Sequence, residues 1–208
     1  MKYQKVPDET IQRLPVYLRG LYSITTNNFQ YISSQQLADI LHLKSPQLRK
    51  DLSYFGDVGT PGVGYDVEKL KKHIQAVLQL NKIHSAALIG HGNLGAALLK
   101  YAGFATFGIE INAIFEIDPR KIGHIVRKIK IEDISGISSL RKRKISLGII
   151  AIPALEAQEI VNKLVKAGIG GILNFAPTYL SVPSKVKVVN IDIGVSLACL
   201  PYYLPVGA

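Results

Sequence analysis

The stretch Gly90-His91-Gly92-Asn93-Leu94-Gly95 decides the fold of this 208-residue chain. Three glycines at that spacing are a weak signal in isolation. Here they follow an apolar run, Ala86–Ile89, and open a segment of helical character around residues 94–102. A second apolar run, Ile111–Ile117, closes on Glu116-Ile117-Asp118, whose carboxylates fall 21 and 23 positions beyond Gly95. Strand, glycine loop, helix, strand and acid in that order describe a dinucleotide-binding βαβ unit. Gly90 permits the tight turn, and Gly92 lets the backbone approach a pyrophosphate. The N-terminus of the helix offers its dipole to the same phosphates. A carboxylate at Glu116 or Asp118 suits a ribose diol and repels a 2′-phosphate, favouring NAD(H) over NADP(H), although Arg120-Lys121 nearby could receive such a phosphate. The plain alternative is a helix–strand packing motif without a ligand.

Outward from this motif the same rhythm continues to the C-terminus. Apolar runs at Ile145–Ile152, Gly171–Phe175 and Val186–Ile193 alternate with helical segments near 133–142 and 155–167. Near-continuous apolar strands are expected in a parallel sheet covered on both faces. The expected architecture is therefore α/β, with a doubly wound parallel sheet of the Rossmann type over residues 81–194 and a short apolar arm over 195–208.

Upstream of residue 80 the texture is helical. Ile11, Leu14, Leu18 and Leu21 recur at helical spacing. Ser33 and Gln36 form a capping box ahead of Leu37, Ile40 and Leu41. After the turn His42-Leu43-Lys44, Ser45-Pro46 reads as an N-cap followed by a first-turn proline, and a third helix runs to about Phe55. Leu48, Leu52 and Phe55 share the face expected to pack inward, which leaves Arg49, Lys50, Ser53 and Tyr54 outside. Two helices joined by a short turn, the second with an exposed polar and basic face, form a helix-turn-helix whose recognition helix enters the major groove. The glycine-rich loop 56–65 suits a β-wing, and Asp66 can cap a fourth helix. A winged helix-turn-helix domain over residues 1–80 is expected, with Ser45, Gln47, Arg49, Lys50, Ser53, Tyr54 and Gly62 as its DNA-contacting residues. A competing reading pairs Arg49 with Asp51 or Asp39, so that it only braces the domain.

Bulk properties narrow the alternatives. At 48% hydrophobic and 19% charged, the chain can bury a proper core. One cysteine, Cys199, excludes an intramolecular disulfide and suits a reducing cytosol. No run approaches the ~20 apolar residues of a membrane span, and MKYQKVPDET lacks the apolar core of a signal peptide. A cytoplasmic protein with no membrane partner is expected. The net charge of +10 suits a nucleic-acid partner, yet residues 79–208 hold +7 of it. The run Arg141-Lys142-Arg143-Lys144 reads most simply as a solvated helix end. A dehydrogenase needs a general acid–base beside the nicotinamide and room for a substrate. His42, His73, His84, His91 and His124 are the histidines, so none falls among the later strands. No catalytic residue and no metal site are expected. A small NAD-dependent oxidoreductase with a helical oligomerisation domain is the alternative.

The chain resembles the Rex family of redox-sensing transcriptional repressors along nearly its whole length. The resemblance is carried by Arg13-Leu14-Pro15-Val16-Tyr17-Leu18-Arg19, by Leu48-Arg49-Lys50-Asp51-Leu52-Ser53-Tyr54-Phe55-Gly56 and by Gly62-Val63-Gly64-Tyr65. It continues through Gly92-Asn93-Leu94-Gly95, Tyr101-Ala102-Gly103-Phe104, Phe115-Glu116-Ile117-Asp118-Pro119 and Ile172-Leu173-Asn174-Phe175-Ala176-Pro177. It implies a homodimer on palindromic double-stranded operator DNA, bound when NADH is scarce and released by NADH, so that it reports the NADH/NAD+ ratio, with the C-terminal helix swapped between subunits. It also implies cofactor contacts from Lys121, Tyr101, Pro153, Asn174 and Phe175 besides residues 90–95, Glu116 and Asp118, and a coupling role for Arg19 and Asp192. Two positions depart from the family pattern. Pro61 stands where a basic residue usually precedes the Gly-Val-Gly-Tyr of the wing. Pro201 interrupts the swapped helix, where an interior proline costs ~3 kcal/mol.

Overall fold

The computed structural model describes residues 6–25 and 29–205. The chain divides into two compact units between Lys82 and Ile83.

In the first unit α1 (Asp8–Thr25) opens with Asp8 and Glu9 at the positive end of its dipole. It buries Leu14, Tyr17, Leu18 and Leu21 completely, while Ile11 stays 37% exposed. The short strand β1 (Tyr31–Ile32) leads into α2 (Ser34–Ile40), where the capping box forms in both directions: Gln36 N–H donates to Ser33 Oγ at 3.1 Å and Ser33 N–H to Gln36 Oε1 at 2.9 Å. Helix α3 (Ser45–Ser53) corrects two expectations. Its N-cap is Lys44, with no side-chain cap bond, and it ends before Phe55, which is only half-buried. Leu48 and Leu52 are buried as expected. Strand β2 (Tyr65–Asp66) pairs antiparallel with β1. Helix α4 (Val67–Val77) is capped by Asp66, which accepts the Lys69 N–H at 2.9 Å, and packs against α1. Between α3 and β2, Val63 N–H donates to Thr60 O at 3.1 Å around Pro61 and Gly62. Proline at the second position and Gly62 at φ +78° at the third make this a type II turn, which needs a residue tolerant of positive φ.

The second unit holds β3 (His84–Ile89), α5 (Asn93–Lys100), α6 (Gly103–Thr106), β4 (Ile109–Glu116), β5 (Ile125–Val126), β6 (Ile129–Asp133), β7 (Leu147–Ile150), α7 (Ala154–Lys166), β8 (Gly171–Asn174), β9 (Lys187–Asn190) and α8 (Ile193–Ala198). The strand order is β5-β6-β4-β3-β7-β8-β9, parallel except for the β5–β6 hairpin. Without the edge strand β5 this is the doubly wound order of a Rossmann sheet. The strands alternate between its two faces. Ala87, Ile89, Ala113 and Phe115 meet α7 and the 3-10 segment Ile134–Arg141 on one side; Ala86, Leu88, Ile114 and Ile149 meet Leu99 of α5 on the other. The segment near 133–142 is a 3-10 helix rather than an α-helix; Gly136, Ser138 and Ser139 are poor helix formers. Helix α8 stops at Ala198, and Pro201 sits in the first turn of a separate 3-10 segment, Leu200–Tyr203. The missing N–H and fixed φ of Pro201 end the α-helix there.

Candidate functional site

The chain passes from β3 to β4 on one side and returns from β6 to β7 on the other side of β3, so a crevice opens at the ends of β3 and β7, where ligands bind in open α/β sheets. Gly90, at φ +90°, donates its N–H to Phe115 O at 2.8 Å, and Ala151 N–H donates to Ile89 O at 2.8 Å. The crevice measures about 190 Å³ and is lined by Gly90, Gly92, Glu116, Lys121, Pro153 and Glu156 among others.

The glycines divide the work as the motif requires. A Cβ on Gly90 would lie 2.5 Å from Ala151 O, and one on Gly95 would lie 2.0 Å from Gly90 O, so these two bring strand, loop and helix together. A Cβ on Gly92 would meet nothing within 4 Å. That open space beside the first N–H groups of α5, which have no intrahelical partner, fits a pyrophosphate. In the same loop the His91 Nε2 atom is buried without a hydrogen-bond partner among the described residues. The loop fits a dinucleotide, with Asn93 and Leu94 in the opening turn of α5.

The two carboxylates have different surroundings. Glu116, 8% exposed, accepts the N–H groups of His91 at 2.8 Å, Ile117 at 2.8 Å and Asp118 at 3.2 Å. Burial pushes its pKa up, but these donors and Lys121, 3.7 Å away, outweigh burial and hold it below the ordinary value. Glu116 thus ties the phosphate loop to the end of β4. Asp118 receives the Arg120 side chain at 3.0 and 2.9 Å and is lowered to about 2 by those bonds. Both cations that could have received a 2′-phosphate are committed to carboxylates.

Not every expected contact converges on this crevice. Asn174 is fully buried: its Nδ2 donates to Ala176 O, Thr178 O and Asn190 Oδ1, and its Oδ1 accepts the Ala176 N–H. These bonds hold the loop after β8 in shape. Phe175 is half-buried against the α5 face of the sheet. Tyr101 follows the far end of α5, stacks edge-on with Phe104 at 5.2 Å, and lines a separate hollow of about 470 Å³. The structure does not bring Tyr101 to the crevice of its own unit. Asp192 caps α8 by accepting the Val195 N–H at 3.0 Å, and Arg19 is exposed on α1. Glu156, in the first turn of α7, was not foreseen at the crevice, because its place depends on where β7 ends.

In the first unit Gln47, Arg49, Lys50 and Ser53 are exposed on α3. Arg49 donates to Ser34 Oγ at 2.9 Å and to Ser45 Oγ at 3.1 Å, and it shares a hollow of about 410 Å³ with the wing residues Thr60–Tyr65. Ser45 is itself buried and accepts from Arg49, which it helps to position. Tyr54 is half-buried at the C-cap, and Ser53 Oγ donates to Lys50 O at 2.8 Å. Among the described residues Arg49 has no carboxylate partner; Asp51, on the inner side of α3, is buried against Thr10, Arg13 and Tyr17 of α1. The wing tip presents Pro61, Gly62 and Val63 and no cation.

Residues 81–178 match the family model of a CoA binding domain, and residues 5–53 match that of a putative DNA-binding protein N-terminus. The redox-sensing transcriptional repressor Rex of Chloroflexus aggregans is 43% identical over 95% of this chain and 94% of its own length. The Rex of Syntrophobacter fumaroxidans is 40% identical over 100% of both chains. Among solved structures, RSP in complex with β-NAD+ and operator DNA superposes with a TM-score of 0.89 at 36% identity, covering 95% of this chain and 92% of that one. RSP in complex with β-NADH gives a TM-score of 0.85 at 34% identity over 96% and 94%. Identity at this level, from end to end and across both units, means that the chain belongs to the Rex family of redox-sensing transcriptional repressors.

Proposed function

We propose that the chain is a cytoplasmic homodimeric repressor that binds palindromic operator DNA through α3 and is released by NADH held in the crevice of the second unit. The observation that carries this reading is the pairing, in one chain, of an exposed Arg49-Lys50 helix face with a phosphate loop whose middle glycine is open and whose outer two are packed. Gly92, Asn93 and Leu94 would hold the pyrophosphate and Asp118 the ribose, with Glu116 and Asn174 positioning the loops. Bound NADH supplies the reducing signal, and the protein's part is recognition. Committed partners for Arg120 and Lys121 favour NADH over NADPH. The apolar arm beyond Asp192 supports a dimer: Val195, Leu197, Leu200, Tyr202, Tyr203 and Leu204 are all at least half exposed in the single chain.

A gel shift on a palindromic operator, repeated with NADH, NAD+ and NADPH, tests the reading. Release by NADH alone is expected. Retention of DNA at saturating NADH would refute it. Turnover of a 2-hydroxy acid with NAD+ would favour the oxidoreductase instead.

A further inference from the structure

The cations of the second unit are unevenly placed. Because β6, β4, β3, β7, β8 and β9 run parallel, all begin at one edge of the sheet and end at the other. The crevice occupies the ending edge, and the cation that lines it, Lys121, and its neighbour Arg120 are both paired. At the starting edge Lys100 closes α5, Lys128 turns the hairpin into β6, Lys142 and Lys144 lead into β7, Lys166 closes α7 ahead of β8, and Lys185 precedes β9. All six are exposed, and among the described residues none joins an ion pair. Arg127 adds a cation, fixed by its bond to Leu99 O at 3.0 Å. Against them stands Glu110 near the start of β4; Glu132, toward the other end of β6, is neutralised by Arg143 at 2.6 Å. A solvated helix end explains residues 141–144 alone, but not lysines that arrive from five separate segments at one edge.

We propose that this edge is a second DNA-contact surface, which grips the phosphate backbone without regard to sequence. Neighbouring strands lie ~4.8 Å apart, so the row from β6 to β9 spans roughly 24 Å, facing about seven phosphates of one duplex strand at ~3.4 Å each. Lysines are mobile point charges, suited to a repeating polyanion and not to a compact anion that needs converging donors. Lys100 comes from the α5 side of the sheet and Lys142, Lys144 and Lys166 from the α7 side, so the charges form a band along the strand starts, long enough for a duplex strand to follow. The choice of DNA rests on the operator-binding reading above; the placement of charge does not.

The test uses the full chain with Lys128, Lys142, Lys144 and Lys166 all changed to Ala, on an operator duplex and a shuffled duplex of equal length. Affinity is followed by fluorescence anisotropy from about 50 to 200 mM salt, the range over which phosphate contacts dominate. The slope of log affinity against log salt on the shuffled duplex should become shallower by about 2 to 4, at ~0.9 per lost phosphate contact. The ratio of operator to shuffled affinity and the binding of NADH, on the opposite edge, should be kept, which also shows that the variant folds. A wild-type slope and affinity on the shuffled duplex would overturn the proposal. So would loss of binding to phosphatidylserine vesicles with unchanged DNA slopes. If the unsubstituted protein showed no operator preference, the operator reading would fail while the shuffled duplex still decided this one.

Discussion

Arg13 closes on Asp51 as a fork: Nε lies 2.6 Å from Oδ2 and Nη2 lies 2.8 Å from Oδ1, beneath the helix that carries Arg49 and Lys50. Thr10 and Tyr17, also on α1, donate to the same carboxylate. Burial pushes the Asp51 pKa up, yet these donors hold it below its ordinary value. The position of α3 on α1 therefore depends, besides Leu48 and Leu52, on one ionised, almost fully buried side chain.

Replacing Asp51 by Ala should destabilise the first unit by ~3–5 kcal/mol, because the Arg13 charge loses its partner. Operator binding should fall with it, while NADH binding in the other unit persists. The pH dependence has a definite sign. A carboxylate with a depressed folded pKa contributes stability that is present above its unfolded pKa of ~3.9 and is lost as pH falls through the folded value. Thermal melts should show this contribution constant from neutral pH down to about 5 and lost progressively below about 4. An Asp51→Asn variant should lack that acid-side component, and an unchanged acid limb in it would refute the role.

The phosphate loop separates packing from binding. Gly92→Val places a side chain in open space, so stability should change by no more than ~0.5 kcal/mol, while NADH no longer releases the operator. Gly95→Ala puts a methyl 2.0 Å from Gly90 O and should lower the melting temperature whether or not NADH is present. Calorimetric titration with NADH and a thermal melt of each variant check both halves. Equal behaviour of the two variants would contradict the assignment.

How much of this was legible in the sequence follows from the range of each interaction. The glycine loop, the Ser33–Gln36 capping box and the Asp66 cap are local, and all three appear in the structure. Asp51 was legible only as a possible partner of Arg49. Its real partners lie 34 to 41 residues away, signalled only by the i,i+4 placement of Arg13 and Tyr17 on α1. The β5–β6 hairpin escaped notice because its turn, Arg127-Lys128, carries none of the usual turn residues, although both adopt positive φ of 48° and 67°. That Ser45 and Asn174 are buried is not visible in their motifs, because burial depends on the whole fold.

That hairpin yields a stability prediction. A side chain in the left-handed region costs ~1–2 kcal/mol, and glycine there removes the strain but adds ~0.4–1 kcal/mol of chain entropy in the unfolded state. Lys128→Gly should therefore stabilise the second unit by about 0.5–1 kcal/mol, the difference of these terms. Arg127 is left in place to keep its bond to Leu99 O. Chemical denaturation of the two proteins measures the shift, and a lower midpoint for the variant would show that the turn is not strained.

On α3, Arg49→Ala and Lys50→Ala should each weaken operator binding without changing NADH affinity. A residue that reads a guanine edge should cost ~1–3 kcal/mol and relax preference at one base pair. One that grips a phosphate should weaken all sequences alike and reduce the salt slope by about one. Arg49 is held by Ser34 and Ser45 beside the wing, so its guanidinium is pre-oriented and suits base reading; Lys50, exposed and mobile, suits phosphate. Anisotropy titrations over operators substituted one base pair at a time distinguish the two. Wild-type affinity for both variants at several salt concentrations would remove α3 from the interface.

The arm beyond Asp192 is the last test. Its apolar side chains run from 52% exposed at Leu200 to 86% at Tyr202, in a short helix and a 3-10 turn that Pro201 keeps separate. A single chain leaves that surface in water at ~25 cal/mol per Å², a strong drive to pair with a second copy. Full-length protein should sediment as a dimer at micromolar concentration, and deletion of residues 195–208 should give monomer or aggregate. Pro201→Ala removes the break and should lengthen the helix, strengthening the dimer. A full-length chain that stays monomeric would refute the arm as the dimer contact, and an unchanged dimer constant in Pro201→Ala would show that the 3-10 turn already fits the partner.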